Sequence, residues 1–189
     1  MRCFFAAVVL LFVLTASVSA TPSSSTTTAI PGKYSDRIET IALQYGLNPR
    51  FVQAVIWRES RFNASARGKF GEIGLMQLRM STVRDWAKAH HRSAPSAETV
   101  FDPDVNLHIG IWRLDQALRH WEGYPDQVQL ALFEYNAGRK SILRKLAHCN
   151  GDVQLLLRTY GSGDYASRIV AKYVEYSNLD VSEAELAQN

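Results

Sequence analysis

The stretch that most constrains this chain runs from Asn48 to Gln77. Asn48-Pro49 is a strong helix start, because Asn caps the first free backbone N–H groups and Pro fits the first helical position. Val52, Val55, Ile56 and Glu59 then follow at i, i+3, i+4 and i+7, a single helical stripe. A carboxylic acid therefore stands on the face expected to be buried, while Arg58 and Arg61 are expected to point elsewhere. Burial disfavours the charged carboxylate and raises its pKa, as a general acid working near neutrality requires. The competing reading of the stripe alone is a helix-end Glu paired with an Arg. Directly after Glu59-Ser60 comes a loop with Gly68, Gly71 and Gly74, whose backbone can turn tightly and approach a ligand closely.

Four segments, taken together and in order, resemble the lytic transglycosylases with a goose-lysozyme-like catalytic domain. They are Glu59-Ser60, Gly74-Leu75-Met76-Gln77, Tyr135-Asn136-Ala137-Gly138, and Tyr165 within Tyr165-Ala166-Ser167-Arg168-Ile169-Val170. The resemblance spans about residues 34–178, and includes the Asp102-Pro103 start, Asn106 and Gly110. It implies a mainly α, lysozyme-like single catalytic domain, and a short β-hairpin is expected near the cleft, over residues 70–76.

What the resemblance implies for chemistry is a one-carboxyl mechanism on peptidoglycan. Glu59 would protonate the glycosidic oxygen between N-acetylmuramic acid and N-acetylglucosamine, and the substrate's acetamido group would stabilise the cationic centre. Glu59 would then take the proton of the muramoyl C6 hydroxyl, closing a 1,6-anhydro ring. Ser60 would support the end of the catalytic helix, and Met76 and Gln77 would line sugar subsites. Tyr135 would hold the Glu59 carboxylate or the acetamido group, Asn136 would fix the local backbone, and Tyr165 would close the cleft from the last helix. No cofactor or metal is implied. The histidines are scattered without ligand spacing, and His90-His91 read as surface residues.

The chain departs from the family pattern at three places. Gly68 stands where a Ser is usual, Glu72 where an Ala is usual, and Met80 where a Pro is usual. Glu72 reads as a surface substitution; the alternative is a second carboxylate beside the cleft, which would make a hydrolytic product conceivable. Ordinary glycoside hydrolysis uses two carboxylates. Glu72, Asp85 and Glu134 are the other candidates, and none is placed by sequence across a bond from Glu59. The remaining readings are a lysozyme-like hydrolase and a non-catalytic glycan-binding or scaffold protein.

The rest of the chain frames this unit. Residues 1–20 read as a signal peptide, with Arg2, an apolar run over 4–14 and a small-residue cleavage site at Val18-Ser19-Ala20. Cys3 has no suitable residues before it for lipoprotein acylation. Its removal would leave 20 basic against 18 acidic residues, a formal charge of +2. That suits an anionic cell-wall polymer and is too weak to indicate nucleic acid. An exported protein, periplasmic or secreted, is expected, with peptidoglycan strands as partner and local wall opening for a secretion or conjugation apparatus as its use. Cys149 would then have no intrachain partner. Residues 21–32 read as a Ser/Thr-rich linker, 33–179 as the catalytic domain and 180–189 as a frayed acidic tail.

Helices are expected over about 35–45, from Asn48-Pro49, after a Ser81 or Thr82 cap, from Asp102 to about Trp121, and from Tyr124-Pro125-Asp126 to Gly138. Shorter ones cover 139–148 and 153–160, and a last one is capped by Asp164. The helix after Asp102 is apolar on two sides and so central. Gly110 inside it points to close packing against another backbone.

Overall fold

The computed structural model describes residues 32–161 and 163–186. The signal segment read in residues 1–20, the linker up to residue 31 and the final three residues of the acidic tail lie outside the described residues. Among the described residues the chain forms α1 (Ser35–Gln44), α2 (Pro49–Ser60), α3 (Met80–Ala89), a single 3₁₀ turn (Thr99–Phe101), α4 (Pro103–His120), α5 (Gln127–Ala137), α6 (Arg139–His148), α7 (Val153–Tyr160) and α8 (Gly163–Leu186). None of these helices is long and apolar enough to cross a membrane.

Local chemistry explains most boundaries. The Asn48 side chain accepts from Arg50 N–H at 2.8 Å and Pro49 opens α2. Asp102 caps α4 by accepting from Asp104 N–H and Val105 N–H, again with Pro next, and Asp152 caps α7 through Leu155 N–H. Two starts differ from the sequence reading. α3 begins at Met80 after Arg79, so Ser81 and Thr82 lie inside its first turn. α8 begins at Gly163, which puts Asp164 in the first turn, paired with Arg168. α5 begins directly after Asp126, as read, although without a side-chain cap. α8 also carries on to Leu186, through a segment read as frayed.

α4 is the spine, with Leu107, Ile109, Ile111, Leu114 and Ala117 all fully buried. One side of it meets α1, α2, the 61–79 loop and α8 in the larger core. Its C-terminal half joins Leu130, Phe133, Ile142, Cys149 and Leu156 of the later helices in a smaller one. α2 lies chiefly against α8, and α4 against α5. What packs against Gly110 most closely is a side chain: a β-carbon there would run into Met76, 2.7 Å from its Cβ.

The expected hairpin is reduced to two isolated antiparallel bridges, Arg67 with Ile73 and Ile73 with Leu78. Gly74 (φ 74°) and Gln77 (φ 48°) are in the left-handed region, so the chain turns before a ladder can extend.

Candidate active site

Glu59 occupies the last turn of α2, which stops because Arg61 takes a left-handed conformation (φ 54°). Ser60 Oγ donates to the Leu75 carbonyl at 2.7 Å and approaches the Ile56 carbonyl at 3.3 Å, so it ties the helix end to the returning loop. The loop is fixed from the other side by Asn106 of α4, which is fully buried. Its Oδ1 accepts from Met76 N–H at 2.8 Å, and its Nδ2 donates to the Ile73 and Val100 carbonyls at 2.9 Å each. In this way one side chain ties together three buried backbone groups of the loop and the 3₁₀ turn, of which the Ile73 carbonyl also accepts from Leu78 N–H.

These supports open a cleft of about 470 Å³ lined by Glu59, Phe70, Glu72, Gln77, Arg79, Arg113, Tyr135 and Asn136, among others. Glu59 is half-buried, and its carboxyl is pushed up to about 7. Desolvation is the largest cause, opposed by a hydrogen bond from Tyr165 and the charge of Arg58, and reinforced by the charge of Glu72. Tyr165 is buried in the larger core, and its hydroxyl donates to Glu59 Oε1 across 106 residues of chain. Both Tyr165 and Tyr135 are held well above the usual phenol range by burial and by the nearby Glu59 charge, so they act as neutral donors.

The site residues expected from sequence are largely brought together, with altered roles. Tyr165, rather than Tyr135, holds the Glu59 carboxyl. Tyr135 lines the cleft and donates instead to the Met76 carbonyl at 2.9 Å. Gln77 lines the cleft, with its Nε2 donating to the Gly74 carbonyl at 2.9 Å. Asn136 lies exposed on the same wall. Met76 is fully buried against Gly110, so its side chain lines no subsite in this structure, which corrects the expectation. Arg58 does not point away either: its guanidinium sits over the Tyr165 ring, 5.2 Å from the centroid. Arg61 does, lying over Trp57 at 3.4 Å.

The other carboxylates sort by surroundings. Asp85 is exposed on α3. Glu134 has 0 % exposure and accepts from Arg113, His120, Trp121 and Arg139, which leaves no face for a substrate. It positions Arg113, a cleft residue that sequence reasoning missed. Glu72 lines the cleft together with Glu59, so the surface-substitution reading gives way to the alternative. Phe70, 73 % exposed at the mouth, was also missed, although an aromatic in a polar glycine loop is a visible signal.

Comparison with known proteins agrees with this arrangement. The profile of the Transglycosylase SLT domain matches residues 36–169. The chain belongs to the SLT transglycosylase domain family. Among its relatives are the membrane-bound lytic murein transglycosylases C of Photorhabdus laumondii and Yersinia pestis, each 26 % identical over 147 residues. Each alignment covers 75 % of this chain but 41 % of the relative, so the chain spans well under half of those proteins. The 70-kDa soluble lytic transglycosylase of Escherichia coli superposes with a TM-score of 0.67 at 20 % identity, over 79 % of this chain and 25 % of that one. The lytic transglycosylase Slt of Pseudomonas aeruginosa gives 0.66 at 23 %, over 79 % and 24 %. These likenesses establish the mainly α, lysozyme-like fold of this SLT domain.

Proposed function

We propose that this SLT domain is a peptidoglycan lytic transglycosylase in which Glu59 alone carries both proton transfers. The observation that carries the reading is a half-buried carboxyl, raised to about 7, at the end of a rigid helix and facing a cleft large enough for sugar rings. In the first step the Glu59 proton passes to the glycosidic oxygen as its bond to the muramoyl C1 breaks. The acetamido oxygen of the same sugar supports the positive charge at C1. Tyr165 then donates to a full carboxylate, the form that its hydrogen bond favours. In the second step the C6 hydroxyl oxygen bonds to C1 and its proton returns to Glu59. No water enters, so the product is one water lighter than a hydrolysis product, and the enzyme is restored. The polar wall of Gln77, Tyr135 and Asn136 supplies orienting groups for the glycan.

A hydrolytic outcome draws support from Glu72 in the same cleft. Mass spectrometry of products released from peptidoglycan decides between them. Anhydro-ended products that vanish with Glu59→Gln support the proposal, and hydrated products overturn it in favour of a hydrolase. Intact peptidoglycan with both proteins would point to a glycan-binding role. Within the proposal the protein works outside the cytoplasm. Use in local wall opening at a secretion or conjugation apparatus would appear as failed assembly in cells carrying Glu59→Gln.

A further inference from the structure

Gly68 is a glycine for reasons of space. Its backbone is outside the left-handed region, yet a β-carbon built on it would stand 2.7 Å from Glu72 Cβ and 2.8 Å from Gln77 Oε1, and closer still to Glu72 Oε2. Glu72 has folded back over this gap: Gly68 N–H donates to the Glu72 carbonyl at 2.9 Å. The carboxylate itself is tied at both oxygens. Oε2 accepts from Phe70 N–H at 3.0 Å, and Oε1 accepts from Arg79 Nε at 2.9 Å and Nη2 at 2.7 Å. Its side chain keeps 16 % exposure, and that exposure is toward the cleft shared with Glu59.

We infer that Glu72, seated in the space that Gly68 leaves, is a positioning residue for the reaction: a fixed negative charge on the cleft wall that adds to burial in favouring the acid form of Glu59. The inference rests on the reading of Glu59 as the proton donor. The groups facing Glu59 are Tyr165 of α8, Arg58 of α2, Tyr135 of α5, Arg113 of α4, and Glu72 with Arg79 from the loop. Of these Glu72 is the one carboxylate, and it opposes the two arginine charges on the cleft wall and that of Arg58. Partial burial pushes the Glu72 carboxyl up, but the Phe70 N–H and Arg79 outweigh this and hold it below the usual range. It is therefore charged over the pH range in which Glu59 titrates.

The test is a site-resolved ¹³C NMR titration of the Glu59 carboxyl in the full chain. Glu72→Gln removes one negative charge and leaves that of Arg79 uncompensated, which favours ionised Glu59. The midpoint should fall by about half a pH unit. Glu72→Asp, which keeps the charge, should restore most of it. Gly68→Ser, which evicts the carboxylate from its seat, should lower the midpoint as well and add nothing on top of Glu72→Gln. The descending limb of the activity profile should move with the midpoint, with thermal stability as the control. A midpoint unmoved by Glu72→Gln, or moved equally by Asp85→Asn, overturns the inference whether or not the protein cleaves peptidoglycan. Failure of the functional proposal would instead appear as absent anhydro products from the wild-type protein, with the titration still readable.

Discussion

Replacing Glu59 by Gln should stabilise this fold at alkaline pH. A carboxyl near 4.5 when exposed and near 7 when folded retains its proton in the native state while the unfolded chain releases it. Unfolding is then favoured more strongly as pH rises between those two values. Below 4.5 the proton is bound in both states and the group is neutral to stability. Above 7 the native state carries a carboxylate desolvated by α2, α5 and α8. At about 1.4 kcal/mol for each pH unit, the full difference is about 3 kcal/mol. Gln keeps the shape and can still accept from Tyr165, but has no charge to desolvate. The stability of Glu59→Gln relative to wild type should therefore climb by about 2–3 kcal/mol from pH 4 to pH 8. Urea unfolding at several pH values measures it, with unchanged denaturant slopes showing that the same surface is exposed. The other carboxylates cancel in the difference between the two proteins. A gap between them that is flat across this range would refute the claim that burial sets the protonation of Glu59.

Two further outcomes follow from single side chains. Tyr165→Phe removes a donor that favours ionised Glu59, so the Glu59 midpoint should rise and activity should extend to higher pH at a reduced maximum; NMR titration and a pH–rate profile check both. Asn106→Leu leaves Met76 N–H and the Val100 carbonyl buried without their partners, while the Ile73 carbonyl keeps Leu78 N–H; the loss should cost about 2 kcal/mol or more in urea unfolding.

Much of the fold was legible because it is local. Caps at Asn48, Asp102 and Asp152 act within three residues, and the 3.6-residue period of α2 and α4 shows in side chains that are neighbours in sequence. The same periodicity put Glu59 on an apolar stripe, and so announced a carboxyl under desolvation. The start at Met80, which has no side-chain cap, was misread because Ser81 and Thr82 offered a stronger local signal than the one used.

Tertiary structure decided which groups act on that carboxyl. Tyr165 reaches Glu59 only because α8 packs along α2, and Tyr135 is drawn off to the Met76 carbonyl by the way the loop returns. Met76 belongs to the motif in sequence yet goes into the core, since Gly110 of α4 leaves a hollow for its side chain. Glu72 looked like a surface exchange until the vacancy above Gly68 gave it a seat in the cleft. Sequence by itself determined that a buried acid ends a rigid helix, because helical periodicity is a property of neighbouring residues. The partners that set its proton affinity depend on contacts between distant segments, and those exist only once the helices have packed.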